Sequence, residues 1–292
     1  MLTLEREAWF ERAEAHAARV DVWIEPYLER RGRGVAHPVH DFLFTYYAQR
    51  PAALRRWHPG YGTTLADAPE YAGLKGYADG TVTTSYLRAQ LPRITAAHAL
   101  LSATAARPPT LGCFGLHEWA MAYRSEDPGN EIRHGWPLRL GAGGTDEVVE
   151  GHRIGCSHFD AFRFFTPPAR SLNILQPGRD DRPAYEQPGC LHAGMDLYKH
   201  AFRLSPLIAS DLVADAFELA WDIRILDMRA APYDFSGLIL DPAGEPWTPV
   251  QIETPEGKAQ YVAQQRAFSE RGAPIRQALT RWCERMIATG LS

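Results

Sequence analysis

Apolar positions along this chain recur with the period of a helix far more often than with that of a strand. Residues 3–30 carry Leu4, Ala8, Ala15, Val22 and Ile24 among dense charges, a broad amphipathic pattern with strong helix formers. A second helix is expected over 40–49, stopping at Pro51 because the residue before a proline is pushed out of the α region. Residues 85–107 suit a third, interrupted or kinked at Pro92. The clearest pattern is 205–229. There Pro206 can occupy the first turn after Ser205, and Leu212, Ala216 or Phe217, Leu219, Ile223 and Leu226 recur at three- and four-residue steps. Its other face carries Asp211, Asp215, Glu218 and Asp222, read as a solvent face. A last helix should begin at Thr254-Pro255-Glu256 and run to about Thr289, with threonine as cap, proline at the first helical position and glutamate at the positive end of the dipole. Strand evidence is confined to 136–150, where apolar stretches flank Gly141-Ala142-Gly143-Gly144 as a hairpin or flexible loop. The expected fold is mainly α, a helical enzyme fold with few or no strands.

Composition narrows the class. With 292 residues, 45% hydrophobic and 23% charged, the chain can bury roughly 75% of its unfolded surface, which excludes disorder and fibre and allows one large domain or two. No window approaches the roughly 18 apolar residues of a membrane span, and the N-terminal stretch is charged, so no membrane role and a cytoplasmic location are expected. Four cysteines are too sparse for a disulfide framework, leaving reduced thiols or metal ligands. Charge is uneven. Residues 1–110 hold 13 basic and 11 acidic side chains, and 111–292 hold 18 and 24, so a boundary near 110 separates an N-terminal helical region from one carrying the candidate site, although one continuous domain is equally compatible. Between Arg30 and His58 six arginines, Arg55 and Arg56 among them, face a single acid, Asp41, the place where a polyanion would bind.

The most informative feature occurs three times: Gly112-Cys113 before His117-Glu118, Gly155-Cys156 before His158 and Asp160, and Gly189-Cys190 before His192 and Asp196. Glycine followed by a small, buried cysteine lets backbones approach, so three such entries can bring three imidazoles to one point. Three histidines are a common way to hold zinc or non-haem iron with a position left open, which makes His117, His158 and His192 the candidate ligands. An uncomplexed polar cluster and plain packing are the alternatives. Asp160, Glu118 and Asp196 are the candidate acids or bases. Around them lie aromatic and cationic side chains suited to a flat, partly polar substrate: Phe162 and Arg163, Trp119 and Tyr123, and Tyr198 with Lys199 and Arg203, the last two spaced to face a phosphate together. An ordinary ion pair between Asp160 and Arg163 fits their spacing as well. Phosphate-loop, dinucleotide-fold, nucleophile-elbow and kinase motifs are absent.

The strings HPVHDFLFTYYAQRPAALRRWHPGYG, GCFGLHEWAMAYR, CSHFDAFRFFTPPAR and EQPGCLHAGMDLYKHAFRLSP, with MRAAPYDF and PVQIETPEGKAQYVAQQRAF, together resemble a group of bacterial chains, frequent in actinobacteria, known as 3-methyladenine DNA glycosylases. The resemblance spans nearly the whole chain. It implies hydrolysis of the N-glycosidic bond of an alkylated purine flipped out of DNA into an aromatic pocket. Asp160 or Glu118 would be the carboxylate, and Arg55, Arg56, Lys199 and Arg203 would sit on DNA phosphates. The hairpin turn of the helical glycosylases is missing; the nearest string is Gln187-Pro188-Gly189-Cys190. The reading from the residues themselves is a zinc or non-haem iron enzyme acting on a small molecule.

Overall fold

A computed structural model describes residues 2–132, 135–239 and 245–291. Their helices are α1 (Arg6–Gly32), α2 (Phe42–Tyr46), α3 (Pro51–Arg55), α4 (Thr84–Ala105), α5 (Leu116–Met121), α6 (Gly141–Glu150), α7 (Phe159–Phe162), α8 (Pro167–Arg170), α9 (Arg182–Tyr185), α10 (Leu191–Arg203), α11 (Ser210–Arg229) and α12 (Pro255–Leu291). The protein is mainly α, as expected. It also has a small four-stranded sheet that hydrophobic periodicity does not announce, because its strands are only two or three residues long: β1 (Leu2–Leu4), β2 (Thr63–Leu65), β3 (Tyr77–Ala78) and β4 (Thr81–Val82), in the order β1-β2-β4-β3. β1 and β2 run parallel, and β4 is antiparallel to both of its neighbours. Among the described residues no helix is long and apolar enough to cross a membrane.

Two compact units divide the chain. Unit 1 comprises Met1–Ser102, Met195–Trp221 and Pro274–Ser292, and unit 2 comprises Ala103–Gly194 and Asp222–Ala273. The units interleave along the sequence instead of following one another as a cut at 110 would have them.

In unit 1 the buried stripe of α1 is Trp9, His16, Val20, Ile24 and Tyr27. Its phase is one residue from the sequence reading, and Val22 is exposed. Bulk decides: the rings at Trp9 and Tyr27 remove more apolar surface from water than Ala8 or Val22 would. Tyr27 stacks on Phe44 at 4.4 Å, and Phe44 and Trp23 both pack against Phe217. A satellite core of Leu4, Trp9, Trp57, Leu65 and Tyr71 sits beneath the sheet. Trp9 donates to the Ala66 carbonyl and Tyr71 to the Trp57 carbonyl, so neither polar tip is left unsatisfied.

Unit 2 is built around Trp119, fully buried, whose indole donates to the Ala230 carbonyl at 2.8 Å. Residues 136–150 form no hairpin. Gly141–Glu150 is helix α6, with Thr145 hydroxyl bonded to the Gly141 carbonyl, and Leu138 makes an isolated bridge to Tyr233. The glycines there are absorbed by a helix that buries Thr145, Val148 and Val149. α11 begins at Ser210, so Pro206 lies before the helix and not in its first turn. α12 starts where the cap predicts: the Thr254 hydroxyl accepts from the Gly257 amide at 3.0 Å.

Candidate metal centre

In unit 2, α5, the first turn of α10 and the end of α11 converge on one buried ionic cluster. α5 is entered through Phe114 and Gly115, both in left-handed conformations (φ 46° and 69°), which reverse the chain and place His117 and Glu118 in the first turn of the helix, facing inward. His192 is the second residue of α10. Ahead of it Gly189 approaches another backbone so closely that a Cβ there would lie 2.6 Å from the Thr110 carbonyl oxygen. The close approach inferred for the three Gly-Cys entries therefore holds at Gly189; at Gly112 a Cβ would meet open space, and at Gly155 only ordinary contact with Ile174. The third element is the last turn and a half of α11, which contributes Arg224 and Asp227.

Asp227 is fully buried and its two oxygens are divided between partners. Oδ1 lies 2.9 Å from His117 Nε2, and Oδ2 accepts from Arg224 Nη1 at 2.9 Å. Glu118 Oε1 stands 3.6 Å from the same guanidinium nitrogen and 3.9 Å from His117 Nε2. The His117 and His192 rings meet edge to face at 4.5 Å, and His192 stacks on His158 at 5.3 Å. His158 Nε2 lies 3.5 Å from Glu186 Oε1, an oxygen that also accepts from Arg182.

The electrostatics follow from burial and neighbours. Burial disfavours charge on His117, but the adjacent Asp227 carboxylate, helped by Glu118, outweighs it and holds the imidazole pKa above its ordinary value. Burial, and then the negative Asp227, push the Glu118 carboxyl upward. Burial would raise Asp227 as well, yet His117, His192 and Arg224 hold it well below the usual carboxylate range.

His117, His192 and Asp227 form a buried group able to hold a metal ion, each offering a ligand atom within 4.8 Å of the others. Two ligands at about 2.1 Å from a common ion and at right angles to one another are about 3 Å apart, close to the His117–Asp227 separation. A pair 4.8 Å apart must close by about 1.4–1.8 Å to share the ion at tetrahedral or right angles. The Gly-Cys pattern of the sequence points to His158 as the third ligand. The structure does bring His158 into the histidine cluster, stacked on His192 and beside Glu186, but the carboxylate Asp227 completes the set.

The cluster opens on a cavity of about 290 Å³ lined in part by His117, His192, Cys113, Cys156, Cys190 and Gln187. The three cysteines are free. Burial raises all three thiols, Cys156 to about 12, so they face the cavity as uncharged, soft groups. Cys113 is fixed by the Tyr261 hydroxyl at 3.4 Å and the Gln265 amide at 3.3 Å.

Other residues singled out in the sequence lie elsewhere. Asp160 forms the ordinary i, i+3 ion pair with Arg163, which also covers the Phe164 ring, and neither Asp160, Phe162 nor Arg163 lines the cavity. Trp119 is core, and the Tyr123 hydroxyl donates to Glu150. Asp196 and Lys199 are a buried pair in unit 1, with Tyr47 donating to Asp196; Tyr198 is fully buried there. Arg203 is exposed while Lys199 is buried, so the two do not present a joint phosphate site. Arg55 is held by Asp21 at 2.8 Å, whereas Arg56 stays exposed. The acidic row of α11 is a surface face, with Asp215 and Glu218 paired to Arg19 and Asp222 to Arg271.

Asp227, Arg224 and Glu186 were not foreseen. For Asp227 a signal exists: it falls four residues after Ile223, on the apolar stripe of α11, where a charge is buried and must be partnered. No family model matches the chain, and no curated protein or solved structure matches it.

Proposed function

We propose that unit 2 is a metal-dependent enzyme, with zinc or iron(II) held by His117, His192 and Asp227, acting on a small polar molecule in the adjoining cavity. The observation that carries this reading is the convergence of three buried ligand-bearing side chains from α5, α10 and α11, two of which, His117 and His192, line the adjoining cavity. Two histidines and one carboxylate are the donor set used both by hydrolytic zinc and by non-haem iron sites, because they leave positions open for water and substrate. The ion would supply Lewis acidity or a water deprotonated near neutral pH.

The protein's own residues do the rest. Arg224 orients Asp227 through its second oxygen, the outer-shell role that keeps a ligating carboxylate in place. Glu118, buried within 3.9 Å of His117, is the group placed to accept or return a proton. A volume of about 290 Å³ lies at the small end of the range for ligand pockets, about 300–1,000 Å³, which favours a small substrate.

A second reading keeps the N-glycosidic hydrolysis implied by the resemblance, with DNA as partner. In its favour is the same Glu118 carboxyl, buried 3.9 Å from His117, which lines the cavity.

The test is elemental analysis of tag-free protein from medium supplied with zinc and iron. About one equivalent of metal, lost in His192→Gln with the fold retained by circular dichroism, supports the metalloenzyme. If that variant does not fold, chelator treatment of the wild-type protein followed by zinc titration gives the same answer. A metal-free protein that also takes up no zinc overturns it. Release of free base from alkylated duplex DNA by such protein, lost in Glu118→Gln, would establish the second reading in its place.

A further inference from the structure

A second cavity, of about 420 Å³ and entirely within unit 1, has a different chemistry. Three of its lining side chains are cations, Arg50, Arg56 and Lys75, and no carboxylate lines it. All three are exposed, and among the described residues none of them pairs with a carboxylate. Arg6, Arg19, Arg30 and Arg55, also in unit 1, are by contrast each held by an acid.

The rest of the wall is suited to the body of an organic ligand. The Tyr86 ring lies under the Lys75 ammonium at 6.0 Å and packs so closely on Gly76 that a Cβ there would meet it at 2.8 Å. Leu74 and Phe202 add apolar surface. Gln49, 8% exposed, also lines the cavity, and its carboxamide oxygen has no hydrogen-bond partner, a state that a donor from a ligand would relieve.

We propose that this cavity binds the phosphate group of a small phosphorylated molecule that carries a hydroxyl or amino group, such as a nucleoside monophosphate or sugar phosphate. Three cations suit a phosphomonoester better than a carboxylate. The monoester carries a charge of about −1.5 to −2 at neutral pH and three acceptor oxygens, which two guanidinium forks and an ammonium can share. A lone carboxylate would leave two of the three positive charges unmatched, a phosphomonoester about one. The ligand's hydroxyl or amino group supplies the donor that Gln49 lacks, and Tyr86 gives its body a face to lie on. The cations surround a concavity with apolar walls, and Arg55, the neighbour that would extend them along a nucleic-acid backbone, is already occupied by Asp21. This inference is independent of the metal centre in unit 2.

The test is isothermal titration of the full chain with adenosine 5′-monophosphate, ribose 5-phosphate, inorganic phosphate and a 12-base-pair DNA duplex at fixed ionic strength. Saturable one-to-one binding of an organic monoester is expected. Arg56→Gln combined with Lys75→Met should weaken it at least tenfold with the melting temperature unchanged, since both side chains are exposed, while Arg55→Gln should leave it unaltered. Failure of both organic monoesters to bind, equal affinity in the double variant, or binding of the duplex alone would overturn the proposal.

Discussion

Histidines shielded from water in the two units, His58 half-buried and His16 and His117 buried, behave in opposite ways. In unit 1, His58 is pushed down to about 4, by burial first and then by Arg56 and His16, and its only described side-chain partner is the neutral Tyr77 hydroxyl at 3.0 Å. His16, bonded to the Leu54 carbonyl, is also lowered by burial. In unit 2, His117 is as buried as His16 and more so than His58, and yet is raised, because Asp227 stands 2.9 Å away with Glu118 beyond it. Burial alone makes a histidine a neutral packing group. Burial beside carboxylates keeps it polar and strongly coupled, at considerable cost in desolvation, and gives the kind of setting that accompanies chemistry. The buried Asp196–Lys199 pair of unit 1 shows that ionic burial by itself is not enough, since neither residue lines a described cavity there, whereas His117 of the unit 2 cluster does line one.

Removing the carboxylate breaks the contrast most severely. Asp227→Asn takes from the buried Arg224 its nearest carboxylate, leaving Glu118 at 3.6 Å, and should cost about 3–5 kcal/mol by denaturant unfolding, as breaking buried ion pairs does. It should also abolish metal uptake. A smaller cost, with metal uptake retained, would show that Asp227 is no ligand. Next in size, zinc at a hundredfold excess over its Kd should stabilise the wild-type protein by about 2.7 kcal/mol and His192→Gln by nothing; equal shifts would place the ion elsewhere.

The unit 1 histidines sharpen the other side. A histidine whose folded pKa lies below its unfolded value of 6.5 gains its proton on unfolding. The stability associated with neutral His58 is therefore complete above about pH 6.5 and lost as pH falls toward 4. His58→Gln should flatten thermal stability across that window, and an unchanged slope would remove His58 from the account. The smallest effect expected is that of Thr254→Ala, about 1 kcal/mol from the loss of the cap on Gly257, measured in the same unfolding assay; a neutral result would mean that packing alone sets the start of α12.

Features encoded by neighbouring residues were legible in the sequence. Thr254-Pro255-Glu256 marks the start of α12, and the three Gly-Cys entries do lead to three clustered histidines. Asp79-Gly80, with both residues at positive φ, closes the β3–β4 hairpin and is a turn signal that was available, although strands of two residues have no periodicity to accompany it. The site's decisive pairing was hidden because His117 and Asp227 lie 110 residues apart. The acidic positions that drew notice on α11 were the surface ones, while Asp227 was masked by its apolar neighbours. Asp160 was conspicuous among its phenylalanines, yet its immediate partner is Arg163.

Anomalous diffraction at the zinc edge, from crystals grown with zinc, addresses the central claim most directly. One peak about 2.1 Å from ring nitrogens of His117 and His192 and a carboxylate oxygen of Asp227 is the result expected. A peak held by Cys113, Cys156 or Cys190 instead, or none in unit 2, would contradict it.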